Sequence, residues 1–169
     1  MEIMGKWARQ TGFTLIELLV ISIIAILSSF VFVAFNSARA KGRDAGRTAG
    51  LSQFRTALEA FWIDGGAYPS TGGAWWARCP ALGGHGVTGV DGWIPELAPI
   101  FIAELPADPK YDAAQCYGYR YRSDGLDYKV SVYRTAETLC PEAGGAWYDP
   151  AQAQALCVMS AYTNGAALW

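Results

Sequence analysis

The chain has 169 residues, of which 52% are hydrophobic and only 17% charged, with a net charge of -2. Soluble domains average about a quarter charged residues, so the composition excludes an ordinary soluble surface along the whole chain. The near-neutral balance also excludes a broad basic footprint for nucleic acid. Cys79, Cys116, Cys140 and Cys157 form no CxxC pair and His85 is the only histidine, which argues against a Cys/His zinc site. An even number of widely spaced cysteines points instead to two disulfides and an oxidising compartment.

Residues 1–12 are short and polar, with Lys6 and Arg9. From Phe13 to Phe35 the only charged residue is Glu17. At about 1.5 Å per residue such a run crosses a hydrocarbon core of roughly 30 Å. A secretory signal is the rival reading, but its apolar core is normally ~7–15 residues and ends at a small-residue cleavage site.

The stretch from Asn36 to Asp64 has no proline and opens with Arg39, Lys41, Arg43 and Arg47. We read this basic group as a solvated helix face, with subunit contacts as the alternative. Leu51, Phe54, Leu58, Phe61 and Trp62 recur at helical spacing, so one stripe is apolar. Gly65-Gly66 and then Pro69 mark a stop. One long helix over about 13–64 follows, apolar all round in its first half and amphipathic in its second. Gly42, Gly46 and Gly50 lie four apart on one face, which we read as a small-residue face permitting close packing.

The chain from Tyr68 to about Asp91 is rich in Gly and Trp and has no period, so it reads as a loop tied down near Cys79. Trp93 to Leu105 reads as a short helix or turn before Pro106. Tyr117, Tyr119 and Tyr121 alternate with Gly118, Arg120 and Arg122; after Asp124-Gly125, Tyr128, Val130 and Val132 alternate with Lys129 and Ser131. Two alternating runs across an Asp-Gly turn predict a β-hairpin. The stretch from Cys140 to Cys157 is again loop-like.

The segment Gly12-Phe13-Thr14-Leu15-Ile16-Glu17, within TGFTLIELLV, resembles the processing site of type IV prepilins and type II secretion pseudopilins. The likeness includes the short basic leader, the glycine, the aromatic residue after it, and a Glu five residues into the chain that follows. The specific motif covers only about a dozen residues. FNSARAKGRDAGR and YGYRYRSDGLDYKV resemble segments of pilin-like proteins less specifically. The resemblance implies an α+β, pilin-like fold in which a small antiparallel sheet of three or four strands packs on the second half of the helix. The implied organisation is a cleaved leader over 1–12, a transmembrane assembly segment over 13–35, an amphipathic half over 36–66 and a disulfide-bonded domain over 67–169.

The same resemblance implies cleavage between Gly12 and Phe13 by a membrane prepilin peptidase, and N-methylation of Phe13. A glycine lets the scissile backbone enter a narrow protease site. A carboxylate inside a membrane helix costs about 2.5–3.5 kcal/mol on insertion scales, so Glu17 is expected to find a partner. In the family that partner is the N-terminal amine of a neighbouring subunit, and the pairing fixes axial register. The implied partners are further copies or related pilins, the peptidase, the membrane assembly platform, and lipid before assembly. The implied location is single-pass in the cytoplasmic membrane with the C-terminal domain outside, then a filament. Basic residues are at least as dense after the span as before it, so the positive-inside rule alone does not favour this orientation.

Four cysteines permit three connectivities, and the sequence does not choose among them. We take Cys140–Cys157 and Cys79–Cys116, of which the resemblance supports the first better, because a C-terminal loop closed by a disulfide is common in pilins. Leu105-Pro106-Ala107-Asp108-Pro109 resembles the LPxDP segment of major pseudopilins, some of which bind calcium nearby. Asp108, Asp112, Asp124 and Asp127 are oxygen donors of the kind calcium needs. We read Asp108 as part of a proline-fixed surface turn, and expect no cofactor. His85 lies in a glycine-rich loop and reads as solvated. No Ser-His-Asp, GxSxG, HExxH or P-loop pattern occurs, so no enzyme is expected. Trp75, Trp76, Trp93 and Trp147 support the rival reading, a membrane-anchored extracellular module that binds sugars or proteins through exposed aromatics.

Overall fold

The computed structural model describes residues 12–152 and 156–169, without the side chain of Val33. The expected leader lies outside the described residues, apart from Gly12 itself. Helix α1 runs unbroken over Leu15–Gly65. Its start is written locally, because Thr14 and Glu17 have the T-x-x-E spacing of a capping box. The Thr14 N–H and hydroxyl both donate to Glu17 Oε2 at 2.7 Å. Its end is a left-handed glycine: Gly66 has φ +70 and its N–H reaches Trp62 O at 2.7 Å.

The chain divides into a unit over Met1–Arg39 and one over Ala40–Trp169. In the first unit the large described apolar side chains from Phe13 to Phe35 are 47–84% exposed. This helix is long and apolar enough to cross a membrane. Ser22 and Ser29 return their hydroxyls to the carbonyls of Leu19 and Ile26 at 2.7 and 2.6 Å, which satisfies polar groups inside an apolar stretch.

The second unit is α+β. Strands β1 (Gly118–Ser123), β2 (Tyr128–Tyr133) and β3 (Met159–Tyr162) form one antiparallel sheet in that order. The β1–β2 register runs from Gly118↔Tyr133 to Ser123↔Tyr128, closing on residues 124–127. The turn is held by Asp124, whose Oδ1 accepts from the N–H groups of Leu126 and Asp127 at 2.9 Å, while Gly125 supplies φ +98. Strand β3 returns beside β2 with Val132↔Met159 to Lys129↔Tyr162 in register. Strand β3 lies beyond the loop-like stretch that ends at Cys157, at residues to which the sequence pattern assigns no element.

Buried positions along the second half of α1 are Asp44, Arg47, Gly50, Leu51, Phe54, Ala57 and Leu58, a helical stripe. Leu51, Phe54 and Leu58 pack in one cluster with Tyr119, Tyr121, Tyr128, Val130 and Val132 of the sheet and with Trp93, Ile94, Leu97 and Leu105 of the long loop. Phe54 meets Trp93 and Tyr119 edge-on at 5.1 and 5.2 Å. Of the three glycines on the helix face, only Gly50 is closely approached. A Cβ there would lie 2.5 Å from Tyr119 Oη, whereas at Gly42 and Gly46 it would meet nothing.

Alternation would put Lys129 and Ser131 in solvent, yet both are buried. Lys129 Nζ donates to Asp149 Oδ1 at 2.6 Å and to the Ala167 and Trp169 carbonyls at 3.1 Å. The sheet is therefore covered on both faces at β2, by the helix on one side and by the chain's last residues on the other.

Candidate functional site

The residues singled out for processing and assembly sit at the start of α1. Gly12 and Phe13 are exposed, and nothing lies within 4 Å of a Cβ built on Gly12. Phe13, Ile16, Glu17, Val20 and Ile21 line a shallow hollow of about 330 Å³. Glu17 is the one carboxylate in it, and it already holds two donors from Thr14. The expected partner for this charge is a neighbouring subunit's amine; within one chain, Thr14 of its own helix turn supplies donors to it. Thr14 was the missed residue. Its signal, a Thr three positions before an acidic residue and an apolar run, stood in the sequence.

A second cluster lies where α1 enters the compact unit. Asp44 and Arg47 are one helix turn apart and both are buried. The Arg47 guanidinium grips Asp108 through Nε at 2.8 Å and Nη2 at 3.1 Å, a two-pronged pairing of fork and carboxylate. Its Nη1 reaches Asp44 Oδ1 at 2.7 Å and Glu137 Oε1 at 3.3 Å. Asp108 also accepts from Thr135 Oγ1 and from the Lys110 N–H, both at 2.7 Å. Glu137 takes both prongs of Arg43 at 2.6 Å and Lys110 Nζ at 2.7 Å.

Asp44 accepts from the backbone of Glu137, Thr138 and Leu139 and from Thr138 Oγ1 at 2.6–3.2 Å. Burial opposes charge on Asp44, but these donors outweigh it and hold the carboxyl below its usual value. The Arg43 pairing holds Glu137 well below the carboxylate range. Burial works against the charge on Arg47, and its carboxylate partners overcome it and raise its pKa.

This network corrects two expectations. Arg43 and Arg47 are not a solvated face; they tie the helix to the 108 turn and to the segment 135–139 of the same chain, while Arg39 and Lys41 remain exposed. Asp108 is not in a surface turn, being 5% exposed with both oxygens committed to Arg47. Asp112 caps Ala114 and Gln115, and Asp124 closes the hairpin. Among the described residues, no three His, Cys, Asp or Glu side chains are grouped to hold a metal ion.

The disulfides are Cys79–Cys116, spanning 37 residues, and Cys140–Cys157, spanning 17. The first ties the long loop to the residues leading into β1, and the second closes the loop before β3. Loop-closure entropy for spans of this length is worth about 3–4 kcal/mol each.

No family model matches the chain, and no curated protein or solved structure matches it. The aromatics invoked for a binding module are mostly engaged within the unit. Trp93 is fully buried, Trp147 packs partly buried on the core, and Trp76 stacks on His85 at 3.9 Å. His85 is half-buried against that ring, and burial holds its imidazole below the ordinary pKa.

Proposed function

We propose that this chain is a structural subunit of the pilin or pseudopilin kind, stored in the cytoplasmic membrane and drawn into a filament through its N-terminal helix. The observation that carries the reading is a single helix used in two ways. Its first half leaves every large described apolar side chain exposed, so it needs lipid or other helices around it. Its second half supplies the buried stripe of a disulfide-tied α+β unit. The motif at Gly12, Phe13 and Glu17 sits where such a subunit is cut, methylated and paired.

In this reading prepilin peptidase removes residues 1–12 and the amine of Phe13 is methylated. On assembly, the Glu17 carboxylate exchanges its Thr14 donors for the cationic amine of a neighbour. A slipped neighbour would leave a buried charge without an opposite, which fixes register. The disulfide-bonded unit lies outside the membrane, and the subunit performs no catalysis of its own. Intact mass and N-terminal peptide analysis of the protein in sheared surface fibres tests this. A chain beginning at methylated Phe13 in the fibre fraction supports it, and a chain retaining residues 1–12 refutes it.

A further inference from the structure

The two disulfides have unlike surroundings. Cys79 is fully buried and Cys140 is exposed, while their partners Cys116 and Cys157 are both half-buried. Around Cys79 the backbone is closely bonded. The Cys79 carbonyl accepts from the N–H groups of Leu82 at 3.1 Å and Gly84 at 2.8 Å, and Ala77 is bonded to Leu82 and His85 at 3.1 and 3.0 Å. Around Cys140 the chain is open. Residues 142–146 are all exposed, and the bond from Gly145 N–H to Glu142 O at 2.9 Å closes a turn within that stretch. Thiol–disulfide exchange needs a thiolate to reach a sulfur, so access ranks the Cys140–Cys157 bridge ahead of the Cys79–Cys116 bridge.

The open bridge adjoins the ionic network on α1. The three residues before Cys140 are the ones that serve Asp44. The backbone N–H groups of Glu137, Thr138 and Leu139, with the Thr138 hydroxyl, donate to its carboxylate at 2.6–3.2 Å. The Glu137 side chain meets Arg43 at 2.6 Å and Arg47 at 3.3 Å. Asp44 is 2% exposed, so its charge depends on those donors. On the other side of the bridge, Cys157 leads through Val158 into β3, which is paired with β2. The bridge therefore links the donors of Asp44 covalently to the sheet.

We propose that Cys140–Cys157 is a redox-sensitive link: a dithiol opens it while Cys79–Cys116 stays closed, and opening it loosens residues 137–139 from Asp44 of α1. One thiolate of the dithiol attacks Cys140 Sγ, the S–S bond breaks, and Cys157 leaves as a thiolate that takes up a proton. The second thiol of the dithiol gives up its proton and attacks its own sulfur partner in the mixed disulfide, releasing Cys140 as a thiolate that is protonated in turn. The chain gains two electrons and two protons, and the dithiol ends as a disulfide. This link goes beyond the filament reading and does not rest on it.

The test treats the full chain in detergent micelles with rising dithiothreitol, traps free thiols with iodoacetamide and weighs the peptides. Cys140 and Cys157 should be alkylated about tenfold faster than Cys79 and Cys116. In the half-reduced chain, amide exchange at Thr138 and Leu139 should quicken about tenfold and stay unchanged at Val130 and Val132 of β2. A chain carrying Cys140→Ser and Cys157→Ser reaches the open state without reagent and should show the same pattern. Opening of Cys79–Cys116 first, or of both bridges together, overturns the proposal. Unchanged exchange at Thr138 and Leu139 in the half-reduced chain does so too. Equally faster exchange at Val130 and Val132, in the half-reduced and the doubly substituted chain, would mean that the bridge holds the whole unit, and would also overturn it. These readouts need neither cleavage at Gly12 nor entry into a fibre, so failure of the filament reading leaves them intact.

Discussion

Replacing Arg47 with methionine isolates the buried network from the hydrophobic core. Methionine keeps most of the side-chain length and apolar volume, so the change is chiefly the loss of one charge and its donors. The three carboxylates are left unequally provided for. Glu137 keeps Arg43 and Lys110, and Asp44 keeps its donors from residues 137–139. Asp108 loses both prongs of its ion pair with Arg47 and retains the Thr135 hydroxyl and the Lys110 N–H. Stranding one member of a buried pair costs about 3–5 kcal/mol, a large share of the roughly 5–15 kcal/mol that holds a domain folded. Urea unfolding of the detergent-solubilised chain, followed by tryptophan fluorescence with buried Trp93 among the reporters, measures it. Adding Asp108→Asn to Arg47→Met removes the stranded charge and should recover part of the loss. A single-variant cost below about 1 kcal/mol, the range of exposed pairs, would refute the reasoning and return the basic group to a solvated face.

The glycines of α1 divide by their surroundings. Gly50→Ala, whose new Cβ would collide with Tyr119 Oη, should destabilise by about 1–3 kcal/mol, whereas Gly42→Ala and Gly46→Ala should stabilise by up to about 1 kcal/mol; melting of the three variants distinguishes them. Asp44 and Glu137 have pKa values lowered on folding, so the stability they give is present above their ordinary values near pH 4 and is lost as the pH falls below them. Titrated unfolding should show that loss, and stability unchanged from pH 6 to pH 3 would contradict it. Thr14→Val removes the cap hydroxyl and should weaken the first turn of α1 by about 0.5–2 kcal/mol, seen as faster amide exchange at Ile16 and Glu17 in micelles; unchanged protection there would mean that the cap contributes nothing.

The sequence made the long helix legible because its period and its glycine stop are local signals, and the hairpin because Asp124-Gly125 separates two alternating runs. Strand β3 was not legible. It is four residues long and exists by pairing with β2, some thirty residues earlier in the chain. Arg47 was read as solvated because charge is ordinarily outside. Its partners Asp108 and Glu137 lie 61 and 90 residues further on, and nothing in the local pattern announces them. The buried Lys129 escaped for the same reason, since its answer is Asp149 together with the last turn of the chain. Thr14 differs from these: its cap is encoded within four residues.

The Asp44–Arg47 network also decides which distant parts of the chain are fastened to α1. Within the compact unit, Asp44 and Arg47 precede on α1 the apolar stripe that begins at Leu51. Asp44 holds the backbone immediately before Cys140, and Cys140 is bridged to Cys157 at the approach to β3. The network therefore ties the helix, ahead of its apolar stripe, to a segment that ends in a covalent crosslink. One helix turn is thus fastened to two distant parts of the chain, the 108 turn and the segment 137–139, by charge and hydrogen bonds alone.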